Sequence, residues 1–109
     1  MVGIVIVSHS QKLAEGVIEV SKMMTETAPI IAAGGLEDGS LGTSYDKIFA
    51  AIETVYSSDG VIVLMDMGSA IMTTEMVLEA LDKPNVKMID CPLVEGAVLA
   101  AVESAGGRS

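Results

Sequence analysis

Four short, almost wholly apolar runs punctuate the chain, and after each one the apolar residues spread out to every third or fourth position. The first run, Val2 to Val7, is rich in β-branched residues and free of charge, as expected of a strand covered on both faces of a parallel sheet. It ends near Ser8. From Ser10 to about Met24, the residues Leu13, Val17, Val20 and Met24 recur at helical spacing, and Ser8 or Ser10 can cap the first turn. A second strand, "PIIAA" (29–33), runs into the glycine-rich loop "GGLEDGSLG" (34–42), a composition that lets backbone approach a ligand closely. Thr43 or Ser44 then caps a helix with Ile48, Ala51, Ile52 and Val55 on its apolar face, which stops at the polar turn "YSSDG" (56–60).

The second half repeats the alternation. "VIVLM" (61–65) is a third buried strand, and "DMGSA" (66–70) leads into a helix carrying Ala70, Val77, Leu78 and Leu81 on one side. Pro84 and Asn85 mark its stop. Val86 to Ile89 is a fourth strand, and Pro92 opens a last helix with Val94, Ala97, Val98, Ala101 and Val102 facing inward. The closing "AGGRS" reads as a frayed tail. Strand and helix alternating four times with short connections predict an α/β fold, a doubly wound open parallel sheet within one three-layer domain over residues 1–109. The simplest strand order is 2-1-3-4, with the winding reversing between strands 1 and 3.

Composition narrows the function classes. Half of the 109 residues are hydrophobic and only 3% aromatic, so the core is expected to be aliphatic. Met65, Met67, Met72 and Met76 are expected to help fill it, the other reading being an adaptable surface for partners. Six Lys and Arg against 15 Asp and Glu give a formal charge of −9 without a basic cluster, which argues against nucleic acid and for a protein partner with a basic patch. With one cysteine, Cys91, and one histidine, neither an intrachain disulfide nor a Cys/His metal cage can be assembled. A cytoplasmic protein is expected. The apolar opening is too short, and lacks the basic flank, for a signal peptide, and no stretch approaches the roughly 20 apolar residues of a membrane span.

Candidate chemistry gathers at the strand ends. In open α/β sheets ligands bind outside the carboxyl ends of the strands where the winding reverses. Strand 1 ends at His9 and strand 3 at Asp66; adjacent parallel strands lie about 4.8 Å apart, so imidazole and carboxylate project into one crevice. A carboxylate bonded to one ring nitrogen fixes the tautomer and leaves the other lone pair aimed outward as a nucleophile. A histidine at a strand end also serves purely structural roles, and that reading stands beside the reactive one. In "DMGSA", Gly68 permits close backbone approach, Ser69 can cap the helix, and the first-turn N–H groups suit a phosphate-like group; an ordinary capped turn has the same letters. Neither a Walker sequence nor G-x-G-x-x-G occurs, so a nucleotide site on this chain is not expected. A receiver-like domain is disfavoured, because histidine stands where its acidic pair would follow strand 1.

The stretches "VIVSHS" (5–10), "IAAGG" (31–35), "LGTS" (41–44), "MDMGSA" (65–70) and "CPLVEG" (91–96) together resemble the DhaM family, the phosphocarrier subunits of phosphoenolpyruvate-dependent dihydroxyacetone kinases. That family's fold is similar to the IIA domain of mannose-type sugar phosphotransferase systems. The resemblance runs along the whole chain in order. It implies that His9 is the phosphorylated histidine, that Asp66 is its hydrogen-bonded carboxylate, and that Gly42, Thr43, Gly68 and Ser69 line the phosphate pocket. It further implies that HPr is the phosphoryl donor and that the acceptor is ADP on a separate kinase subunit. No cofactor is then needed on this chain, since magnesium and ADP belong to the partner, and the appended HPr-like modules of some relatives are expected to be absent. A homodimer is implied by the mannose-type relatives and agrees with a sheet whose open edges need protection. A mannose-type IIA sugar component is the close alternative, and a non-catalytic regulatory domain with a structural His9 the more distant one.

Overall fold

The structure, a computed structural model, describes residues 1–107 and contains the alternation the spacing predicts. Strands β1 (Gly3–Ser8), β2 (Ile30–Gly34), β3 (Val61–Met65) and β4 (Val86–Ile89) alternate with helices α1 (Gln11–Ser21), α2 (Tyr45–Val55), α3 (Ser69–Leu81) and α4 (Leu93–Ala105). All neighbouring strands pair in parallel, in the order β2-β1-β3-β4. The winding therefore reverses between β1 and β3. Their register sets Val7 beside Met65, so the residues that follow, Ser8 to His9 and Asp66, leave the sheet side by side.

Two cores lie on opposite faces of the sheet. Val5, Val7, Val61 and Val63 pack under α2 and α3 with Ile48, Ile52 and Val77, while Ile4, Ile6 and Leu64 pack under α1 and α4 with Ala14, Val17, Ala97 and Ala101. This is why β1 carries no polar alternation: as a central strand it is buried along its whole length.

The outer helices approach the sheet through smaller residues than their sequences suggest. In α1 the buried positions are Ala14, Val17 and Ser21; Leu13, Val20 and Met24 are exposed, and the helix ends at Ser21. The reason is steric. A Cβ on Gly34 would lie 2.6 Å from the Ser10 carbonyl oxygen and 2.7 Å from Ala14 Cβ, so the helix packs too closely on β2 for leucine at the contact. Similarly, α4 buries Ala97, Ala101 and Ser104 and leaves Val94 and Val102 exposed, with Ser104 Oγ donating to the Val2 carbonyl at 2.6 Å. The methionine expectation is corrected as well. Met65 packs against the core, but Met67, Met72 and Met76 stand on the surface. At the C-terminus, Ala105 closes α4 and Gly106 and Gly107 form its last turn; Arg108 and Ser109 of the expected tail lie outside the described residues. No helix among the described residues is long and apolar enough to cross a membrane.

Candidate functional site

Local rules place each polar side chain at the end of β1. Ser10, in extended geometry, caps α1 by accepting from the Leu13 N–H at 3.1 Å. Ser8 is thereby released from capping. Fully buried, it accepts from the Ser10 N–H at 3.0 Å and donates its hydroxyl to Asp66 Oδ2 at 2.9 Å. The same carboxylate oxygen accepts from the His9 backbone N–H at 3.1 Å, and Asp66 Oδ1 meets His9 Nδ1 at 3.0 Å. Three donors from consecutive residues thus converge on one carboxylate.

This arrangement decides the charge and the tautomer. Burial pushes the Asp66 carboxyl upward, but the His9 backbone N–H, the His9 ring and the Ser8 hydroxyl outweigh it, and the net result lies below the usual carboxylate range. An ionised carboxylate can only accept, so Nδ1 carries the ring proton and the Nε2 lone pair is left to face outward. Nε2 lies 2.6 Å from Ser69 Oγ, and a hydroxyl in that position donates to the lone pair. The ring is one-fifth exposed and Asp66 about one-eighth, so the imidazole is held but reachable.

Ser69 is not the cap of α3. Gly68 occupies the cap position without a side-chain bond, and Ser69 is the first helical residue, its hydroxyl turned to the histidine. The exposed Gly68 and Ser69 put the amino end of α3 beside Nε2, where its partial positive charge suits an anionic group. Gly42 plays a different part. Its N–H donates to the His9 carbonyl at 2.8 Å, which pins the glycine-rich loop to the end of β1. Its φ is 146°, and a Cβ there would lie 3.0 Å from the Leu36 side chain, so glycine suits the position. The Gly42 amide is therefore committed to positioning His9. Thr43 does not cap α2 either; Ser44 does, accepting from the Lys47 N–H at 3.1 Å while donating to the Glu37 carboxylate. Thr43 Oγ1 instead lies 3.3 Å from Thr73 Oγ1 on α3.

Two participants escape a reading of the sequence, Ser8 as an orienting group and Thr73. The first is signalled by its place between a buried strand and a capping serine. The second is signalled by its i+4 spacing from Ser69, which sets both hydroxyls on one side of α3. Among the described residues no group of three or more His, Cys, Asp and Glu side chains could hold a metal ion. Cys91 is half-buried, and burial, reinforced by Asp90, raises its thiol above the usual range, so it offers no thiolate nucleophile.

Comparison with known proteins gives a consistent picture. Residues 3–109 match the family described as PTS system fructose IIA component, EIIA-man. A Listeria innocua protein named PEP-dependent dihydroxyacetone kinase 2, phosphoryl donor subunit DhaM, is 45% identical over 95% of this chain and 86% of its own length. The Escherichia coli protein named PEP-dependent dihydroxyacetone kinase, phosphoryl donor subunit DhaM, is 42% identical over 98% of this chain, which spans only 24% of that longer protein. Among solved structures, the crystal structure of the unknown-function protein EF1359 superposes with a TM-score of 0.85 and 32% identity, covering 96% of this chain and 84% of its own.

Proposed function

The chain belongs to the EIIA-man family and, within it, to the DhaM family, and we propose that it is the histidine phosphocarrier of a phosphoenolpyruvate-dependent dihydroxyacetone kinase, a phosphotransferase whose intermediate is phospho-His9. The observation that carries the reading is the clamped ring: Nδ1 bound to an ionised Asp66 and Nε2 directed to the rim beside the amino end of α3. Phosphoryl donor is HPr, and the acceptor is ADP on a separate kinase subunit, which also supplies magnesium. The carrier works in the cytoplasm.

The chemistry follows from the geometry. With the Nδ1 proton retained against Asp66, the Nε2 lone pair attacks the phosphorus of phospho-HPr in line. The P–N bond to the donor breaks as the new P–Nε2 bond forms, and no proton has to leave the ring. Attack places positive charge on the imidazole, which the Asp66 carboxylate stabilises across 3.0 Å. Ser69 Oγ must give up its bond to Nε2 for the phosphorus to approach; rotated aside, it donates to a phosphoryl oxygen. Further N–H dipoles come from Gly68 and Ser69, since the Ala70 and Ile71 amides already donate to the Met67 and Gly68 carbonyls. Thr43, joined to Thr73, borders this pocket, while Gly42 acts by fixing the His9 backbone. In the second step a terminal oxygen of ADP attacks the same phosphorus, and the P–Nε2 bond breaks to restore the lone pair and release ATP on the partner.

A site at the rim rather than in a closed cavity supports this reading, because donor and acceptor have to reach the same atom in turn. The chain is further proposed to act as a homodimer, supported by the two outer strands β2 and β4, which pair on one side only. The mannose-type sugar component is the alternative, and the phosphoryl donor relatives weigh against it. Incubation with enzyme I, HPr and labelled phosphoenolpyruvate, followed by ADP-loaded kinase subunit or mannose-type IIB as competing acceptors, tests the proposal. Label is expected on wild type, absent from His9→Ala, and discharged to ADP. Label retained on folded His9→Ala would refute the assignment of the histidine, and discharge only to the IIB protein would refute that of the acceptor.

A further inference from the structure

Ser8 closes β1 and is wholly buried, yet it carries a hydroxyl where the four residues before it, Ile4 to Val7, are aliphatic. A buried polar group needs partners. Its oxygen accepts from the Ser10 N–H at 3.0 Å, and its proton goes to Asp66 Oδ2 at 2.9 Å. The two carboxylate oxygens therefore differ. Oδ2 receives the Ser8 hydroxyl and the His9 backbone N–H, while Oδ1 faces the ring at Nδ1.

We propose that Ser8 sets the phosphoryl-transfer potential of His9, as a positioning residue acting through Asp66: by drawing carboxylate charge toward Oδ2, it weakens the hold of Oδ1 on the phosphorylated, cationic ring. The proposal rests on the carrier reading above and adds to it what governs how readily the group is passed on. When phospho-HPr loads the chain, the donor P–N bond breaks, the P–Nε2 bond forms and the Nδ1 proton stays, so Asp66 sees a neutral ring become a cation 3.0 Å away. Attraction to the carboxylate favours that cation, and favours it more as more charge rests on the facing oxygen. A carrier needs this attraction limited, because whatever stabilises the loaded ring is lost again on discharge to ADP. Of the two donors that disperse the charge, the His9 N–H belongs to the backbone, and Ser8 is the one a side chain supplies. The Ser8 hydroxyl is also among the groups that lower the Asp66 carboxyl, as a donor to the ionised form does.

The test compares the whole chain as wild type, Ser8→Ala, Ser8→Cys and Ser10→Ala, with folding checked by circular dichroism. Each is equilibrated at one pH with a known ratio of HPr to phospho-HPr, and the phosphorylated fraction is read by intact mass. Ser8→Ala is expected to shift the equilibrium about fivefold toward the phosphorylated chain, and to discharge more slowly at saturating ADP-loaded kinase subunit. Ser8→Cys keeps a weaker donor in nearly the same volume, so it is expected to shift the same way by less, and it carries the test if the alanine variant does not fold. Ser10→Ala removes a helix cap that does not touch Asp66 and is expected to match wild type. Loosening that affects loaded and unloaded chain alike leaves the equilibrium in place, so an unchanged ratio in the Ser8 variants assigns Ser8 to structure alone and overturns the proposal. A shift toward the unphosphorylated chain, or an equal shift in Ser10→Ala, overturns it too. Failure of wild type to take phosphate from phospho-HPr counts instead against the carrier reading and is distinct from each of these.

Discussion

At the scale of single residues, function depends on which of several similar polar groups goes where. Three serines stand within the site's two short motifs, and each has a separate partner: Ser8 holds Asp66, Ser10 caps α1, and Ser69 meets Nε2. Asp66→Asn removes the charge that stabilises the ring after attack, and its amide cannot accept the same set of bonds. Phosphate uptake by this variant is expected to fall about a hundredfold, a size typical for loss of a positioned polar group, with HPr affinity little altered. Rapid-quench measurement of labelled phosphate across a range of HPr concentrations separates the two. The same carboxyl links pH to stability. Its folded value lies below its unfolded value near 3.9, so its contribution is complete above that value and is lost as pH falls through the folded one. Urea midpoints of wild type and Asp66→Asn should therefore converge on acidification below about pH 4. A constant gap down to about pH 2 would contradict the hydrogen-bonded carboxylate. His9 and Asp66 were legible as candidates because they end two strands whose adjacency the alternation predicts. The roles of Ser8 and Thr73 were not, since each depends on a contact between segments far apart in the chain.

At the scale of elements, caps and small residues decide how helices sit. Ser44 both caps α2 and holds the Glu37 carboxylate of the glycine-rich loop, whose far end is fixed by Gly42 to His9. Ser44→Ala is expected to lower stability by about 1 kcal/mol, the usual effect of losing a cap, measured by urea denaturation. It should also slow phosphate uptake modestly by freeing the loop. On α3, Thr74 is fully buried and its hydroxyl has no hydrogen-bond partner among the described residues. Replacement by the isosteric valine removes a buried polar atom without opening a cavity. Thr74→Val should raise stability by about 1 kcal/mol, and a lowered thermal midpoint would show that the hydroxyl is satisfied after all. Element identities were readable from periodicity, but the buried faces of α1 and α4 were not. Hydrophobic spacing favours Leu13, Val20 and Val102, whereas close approach to the sheet selects Ala14, Ser21, Ala97 and Ala101, whose small size carries little weight in a hydropathy pattern.

For the whole molecule, a formal charge of −9 makes association with basic partners a question of long-range attraction. Raising ionic strength from about 0.05 to 0.5 M shortens the screening length severalfold, so the second-order rate of phosphate uptake from HPr is expected to fall about tenfold while the rate at saturation changes little. Stopped-flow measurements across that range check it, and a salt-independent rate would remove steering from the account. Chain order by itself determined the four strand and helix units, the parallel sheet and the pairing of His9 with Asp66, because apolar runs that alternate with helical spacing leave few ways to bury both faces of a sheet. Tertiary structure alone decided that Nδ1 is clamped and Nε2 is the outward nitrogen, that Ser69 serves the histidine instead of its helix, and that Met67, Met72 and Met76 line the surface. Those outcomes depend on distances and angles across the strand ends, where a rotation of one side chain changes the partner, and no one-dimensional pattern records such a rotation.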